Sequence, residues 1–147
     1  MTVIREIAAG DRDEWRSLFA DYGVFYRAEF ADSVLDGVWN LLIDDTAELR
    51  ALVATADDTV IGFAHYRRFL DTFTAGYEWY LDDLFVRPES RGTGAATALI
   101  EGIVDRAKAD GGGKLRWITA ADNATAQRVY DRVGYRTSWV TYEKDVS

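Results

Sequence analysis

The chain has 147 residues, with 17 Lys and Arg against 25 Asp and Glu for a net charge of -8, a single histidine and no cysteine. That length suits one domain spanning 1–147, and 48% hydrophobic content with 14% aromatics marks it as a folded one. The composition excludes disulfides, thiolate metal sites, a cysteine nucleophile and histidine clusters, and the acidic balance argues against nucleic acid and anionic membranes as partners.

No window holds the long uncharged apolar run of a membrane span, and MTVIREIAAG lacks a basic start followed by an apolar block. The expectation is a soluble, cytoplasmic protein. Carboxylates are plentiful but stand in no metal-binding loop pattern, so no metal is expected. The negative charge leaves cationic ligands open, with solubility as the plainer use of the same residues.

TVIREI alternates enough for a first strand. Asp11 and Glu14 then have capping-box spacing, ahead of Trp15, Leu18, Phe19 and Tyr22 at helical period. A second helix is expected from Ser33 to Ile43. Residues 49 to 55 and 59 to 68 read as strands joined by a tight turn at Asp57 and Asp58. His65, within the second of them, reads as a strand residue with a satisfied imidazole. GYEWYLDDLFV, residues 76 to 86, is a further strand that should stop before Pro88, which has no N–H to give a ladder.

A helix is expected over 93 to 109, closed by Gly111, Gly112 and Gly113 as a flexible cap. KLRWITA should be a strand, DNATAQRVYDRVG a short helix ended by Gly134, and YRTSWVTYEKDV a final strand pair or one bent strand.

Between the Pro88 strand and the next helix lies RGTGAA. Strand, glycine-rich turn and helix together offer free backbone N–H groups to an anion, so Arg91, Gly92, Thr93, Gly94, Ala95 and Ala96 read as a pyrophosphate cradle. A Walker loop is excluded because no Gly-Lys-Ser/Thr follows. A dinucleotide fold is disfavoured by Thr97 in the third glycine position and by the lateness of the loop. Taken alone, the loop suits an ordinary helix start equally well.

The R-x-x-G-x-A form of this loop, the preceding YLDDLFVRPES and the later N-x-x-A-x-x-x-Y-x-x-x-G from Asn123 to Gly134 make up a larger ordered pattern. With IGFAHYRRF and the Tyr-Glu-Lys near the C-terminus, the sequence resembles the GNAT N-acetyltransferases from Val3 to Lys144. The likeness is greatest to polyamine and Hpa-type histone and polyamine acetyltransferases. The resemblance implies an α/β (α+β) fold with a mixed, mostly antiparallel sheet, flanked by helices and splayed at its centre. It implies acetyl-coenzyme A as donor, with Leu84, Phe85 and Val86 pairing the pantetheine amides and Arg91 to Ala96 holding the pyrophosphate. Asn123, Ala126 and Tyr130 also border the cofactor by this likeness. A homodimer joined through the C-terminal strand is implied as well.

Acetyl transfer to an amine needs an acceptor for the amine's proton and a donor for the departing thiolate. By its place in the motif Tyr130 is the general acid. In similar polyamine enzymes the first position of the Asp82-Asp83 pair is usually Glu, a base acting through water. Here it is the shorter Asp82, read as base or amine anchor with Asp83 in support. Period two puts Glu78 and Tyr80 on the Asp82 face, and Trp79 with Asp83 on the other. Glu78, Tyr80 and Asp82 would then form an acidic, aromatic groove for a cationic amine, with Asp83 as a further substrate contact and the aromatic segment Tyr22 to Phe30, Tyr26 included, together with Trp39 as a lid. The expected function is N-acetylation of a polyamine, a diamine or a small basic amine. Lysines or N-termini of basic peptides stand as alternative acceptors, and a non-catalytic acyl-coenzyme A binding module as the alternative of another class.

Overall fold

Five strands lie side by side in chain order: β1 (Thr2–Glu6), β2 (Arg50–Ala56), β3 (Thr59–Asp71), β4 (Gly76–Val86) and β5 (Leu115–Arg116). The structure is a computed structural model and describes residues 1–147. β1 to β4 pair antiparallel, whereas β5 runs parallel to β4. A parallel neighbour requires a crossover, and α3 (Ala95–Ala109) supplies it. The remaining helices are α1 (Arg12–Phe25) and α2 (Asp32–Ile43) ahead of β2, and α4 (Ala124–Val133) after β5. This is the mixed, mostly antiparallel sheet flanked by helices that the sequence implied.

Each face of the sheet has its own core. On one, Leu52, Tyr66, Trp79 and Leu81 pack against Leu99, Ile100 and Ile103 of α3. On the other, Val53, Phe63 and Phe85 meet Trp15, Leu18 and Phe19 of α1 and Leu35 and Trp39 of α2. The aromatic stripe of α1 therefore serves burial, the main favourable contribution to folding.

β4 is irregular at its centre. Tyr66 pairs Leu81 and His65 pairs Asp83, so one step along β3 matches two along β4, and Asp82 is the extra residue of a bulge. Beyond it the facing of side chains reverses. Trp79 and Leu81 lie on the α3 side, as do Leu84 and Val86, while Phe85 lies on the α1 side. Strict alternation thus misplaces only Asp83: paired with His65 it comes to the face of Glu78 and Tyr80, where Asp82 already accepts from Arg67, which stands over the Tyr80 ring.

Other sequence expectations fare unevenly. Asp57 and Asp58 form the tight turn, with φ of 49° and 62°. The capping box does not form. Asp11 instead turns back to accept from Arg5 Nη1 and Nη2 at 2.7 and 2.8 Å and from the Ala8 N–H at 2.7 Å, while Glu14 Oε2 accepts from the Val60 N–H at 2.9 Å. Only Leu115 and Arg116 of KLRWITA pair as strand, although burial alternates on through Trp117 and Thr119. The final strand pair is absent: residues 135 to 147 belong to no helix or strand.

The Arg5 hydrogen bonds hold the Asp11 carboxyl below its ordinary range, against the opposing effect of burial. A lowered carboxyl adds stability at neutral pH that is lost as pH falls through its folded value. Asp11→Asn should therefore cost about 1–3 kcal/mol at pH 7. In urea unfolding, the gap to the native protein should be full above about pH 5 and close below about pH 4.

Candidate functional site

The ladder between β4 and β5 is short. Trp79 pairs Leu115 and Tyr80 pairs Arg116, and there it ends, while β4 runs on to Val86. The two strands part at this point, leaving a narrow cleft. Leu81, Asp82, Asp83 and Leu84 line one wall, Trp117, Ile118 and Tyr130 the other, and Tyr22 of α1 and Tyr26 just after that helix lie across it. The edge of β4 left unpaired includes Leu84, Phe85 and Val86, whose backbone the sequence reading assigned to pantetheine amides.

Tyr130 reaches the cleft from α4, where Asn123 Oδ1 caps the helix by accepting from the Ala126 N–H at 3.2 Å. Its ring packs edge-on to Trp117 with centroids 5.5 Å apart. Burial pushes the phenol up to about 12, so Tyr130 keeps its proton throughout the physiological range and has one to donate.

Asp82 and Asp83 face different partners. Asp82 accepts from Arg67 Nε at 3.0 and 3.2 Å, and Arg67 also stands 5.1 Å from the Tyr80 ring centre. Asp83 Oδ2 lies 2.9 Å from His65 Nδ1 and has no Lys or Arg partner. Tyr22 sits beside it, its phenol raised by burial and then by the Asp83 charge. Tyr26 is raised for the same two reasons.

The remaining substrate candidates are spread apart. Glu78 is 9% exposed, with Oε2 2.6 Å from Arg116 Nη1 in a charge contact that lacks hydrogen-bond alignment. The acidic groove expected along Glu78, Tyr80 and Asp82 is therefore already neutralised by Arg116 and Arg67. Trp39 is 6% exposed and packs tilted against Trp15, ring centroids 5.4 Å apart, inside the α1–α2 core, so it is no lid. Tyr26 does border the cleft. So does Tyr22, the first residue of the expected aromatic lid, whereas sequence reasoning missed the contact of His65 with Asp83, because the bulge that creates it has no local sequence mark.

The loop between β4 and α3 is shaped as the sequence implied. Gly92 and Gly94 adopt φ of 81° and 84°, which favour glycine. A Cβ on either would project into open space. Arg91 Nε donates to Val86 O at 3.2 Å and Thr93 Oγ1 to Ser90 O at 2.7 Å, tying the loop down. Gly94 begins α3 without any side-chain cap, so the first turn keeps its N–H groups for an anion. This open, donor-rich cradle fits a pyrophosphate.

The profile of the acetyltransferase (GNAT) family matches residues 10–135. The chain belongs to the GNAT acetyltransferases. It is 30% identical over 145 residues to the D-amino-acid N-acetyltransferase HPA3 of Saccharomyces cerevisiae, covering 97% of this chain and 90% of that one. Among solved structures, a probable acetyltransferase superposes with a TM-score of 0.87 at 24% identity, over 99% and 98% of the two chains. The aminoglycoside N-acetyltransferase AAC(6')-Iy, crystallised with coenzyme A, gives 0.84 at 22%, over 100% and 96%. This GNAT protein is accordingly an acyltransferase of the N-acetyltransferase class.

The loop geometry carries a direct test. Gly94→Val would force a β-branched residue into positive φ and place methyl groups before the first turn of α3. Acetyl-coenzyme A should raise the melting temperature of the native protein and leave that of Gly94→Val unchanged. A normal shift in the variant would show that the phosphates bind elsewhere.

Proposed function

We propose that this GNAT protein acetylates small primary amines by direct transfer, with Asp83 as base and Tyr130 as acid. The observation that carries the reading is their common cleft: a carboxylate free of cationic partners on one wall and a proton-bearing phenol on the other, where β4 and β5 part. Acetyl-coenzyme A supplies the acetyl group as a thioester. Arg91 to Ala96 would hold its pyrophosphate and the open edge of β4 its pantetheine arm. As the new C–N bond forms and the C–S bond breaks, Asp83 takes the proton lost by the amine nitrogen. Tyr130 Oη gives one to the sulfur. Tyr22 and Tyr26 wall the acceptor side.

Amino acid amines are the preferred acceptors in this reading, supported by the likeness to a D-amino-acid N-acetyltransferase along almost the whole chain. With Glu78 and Asp82 both engaged by arginines, the second carboxylate that would grip a polycation is missing. The cationic acceptor is the second reading, favoured by the net charge of -8 and by Asp83 itself. A coenzyme A release assay over D- and L-amino acids, diamines, polyamines and basic peptides separates the two. The highest kcat/KM is expected for an amino acid, and a polyamine at the top would reverse the order. Asp83→Asn and Tyr130→Phe should each lower kcat about a hundredfold or more and keep acetyl-coenzyme A binding, while Asp82→Asn stays within a few fold. Unchanged kcat in the first two would favour a binding module.

The homodimer is proposed through residues 135 to 147. This segment pairs with no strand and leaves Trp139 and Tyr142 82% and 90% exposed, while β5 forms an edge of the sheet. A second copy could cover both the free edge and the aromatic side chains. Light scattering should give twice the chain mass for the native protein and a single chain mass for a variant ending at Gly134. A monomeric native protein would refute the dimer.

A further inference from the structure

His65 is the only histidine in the chain and is 1% exposed, enclosed by Phe19 and Phe63 with ring centroids 4.8 and 4.7 Å away. Two polar contacts enter this apolar setting. Trp15 Nε1 donates to His65 Nε2 at 2.9 Å, and His65 Nδ1 lies 2.9 Å from Asp83 Oδ2. An indole N–H only donates, so Nε2 must be the bare, accepting nitrogen, and the imidazole proton must be on Nδ1, directed at the carboxylate. Turning the ring over would set carbon atoms against both the indole N–H and the carboxylate.

Resting on the assignment of Asp83 as base, we infer that His65 is a positioning residue for that base and that Trp15 fixes its tautomer. The Nδ1–H holds Oδ2 and turns the other carboxylate oxygen to the cleft. Trp15 occupies the lone pair that a second proton would need. His65 therefore cannot take over the proton that Asp83 receives from the amine. That proton stays on Asp83 or leaves through the cleft, and no positive charge develops behind the base to weaken it. The titratable groups around this pair are Tyr22 of α1, Tyr26 just after that helix, Tyr130 from α4 and Asp82 on the same strand, the last engaged by Arg67. Trp15 is 0% exposed, and its N–H has His65 as its partner.

A single histidine makes the spectroscopic test unambiguous. In the native protein carrying 15N-histidine, the imidazole should show a protonated Nδ1 and a bare Nε2 at neutral pH. The opposite tautomer would overturn the inference without any variant having to fold.

His65→Leu should lose about ten- to hundredfold in kcat at unchanged KM for acetyl-coenzyme A. His65→Asn, which keeps an N–H near the Nδ1 position, should recover most of that loss. Equal loss in both variants would overturn the positioning role. Undiminished kcat in Asp83→Asn would remove the base on which the inference rests, whereas an inactive Asp83→Asn beside a fully active His65→Leu would remove the positioning role alone.

Discussion

One surplus residue in β4 governs the arrangement around the cleft. Because Leu81, Asp82 and Asp83 span the interval that two residues of β3 span, the side chains beyond the bulge change faces. Asp83 is thereby brought to the buried ring of His65, and Asp82 is left beside Arg67 at the surface. In a regular strand Asp82 would stand opposite His65 and Asp83 would turn to the α3 face. Bulges bend and twist the strand that carries them. Here the pairing of β4 with β5 stops just before the bulge, at Tyr80, so the departure from regular pairing and the re-aiming of a carboxylate occur together. The core residues on either side tolerate the reversal because each face of the sheet is covered by helices and apolar side chains are wanted on both.

Charge in this protein is compensated locally despite the overall negative balance. Arg5 meets Asp11, Arg67 meets Asp82, Arg68 meets Glu48 and Arg116 meets Glu78. Several of these pairs are solvent-exposed and contribute little to stability. Their larger effect here is to quench carboxylates that would otherwise compete for an amine, leaving Asp83 without a guanidinium in the cleft.

What was legible in the sequence follows the range of the forces involved. The helices and β2 to β4 were readable because apolar period and turn chemistry are local: Trp15 to Tyr22 repeats on one helical face, and Asp57 and Asp58 sit where a tight turn needs them. The cradle was readable because glycines with positive φ leave their mark as composition. Asp82 was preferred over Asp83 because it stands where similar enzymes usually carry Glu and alternation by two aligns it with Glu78 and Tyr80, whereas the bulge that re-aims Asp83 is set by the neighbouring strand. The capping box failed for a related reason. The side chain of Asp11 found Arg5 on an adjoining element, and a charged partner outbid a backbone N–H two or three residues ahead. Trp39 looked available as a lid because a tryptophan on a helix gives no sign of which neighbour will cover it. The aromatic and branched residues of the C-terminal segment have strand propensity, but propensity cannot supply the partner that strand formation requires.

Tyr130, the proposed general acid, is carried by the least embedded helix of the protein. α4 buries no residue fully, whereas α3 buries six. Tyr130, Val133 and Trp117 only lean on the margin of the core. Elements with so little apolar anchorage open at low free-energy cost, well before the sheet does. Amide hydrogens of Ala124–Val133 would therefore exchange sooner than those of Ala95–Ala109. The proposed base, on the interior strand β4, and the proposed acid, on this marginal helix, thus belong to units of unequal rigidity. Whatever braces α4 against the sheet sets the fraction of molecules in which both proton-transfer groups stand ready at once.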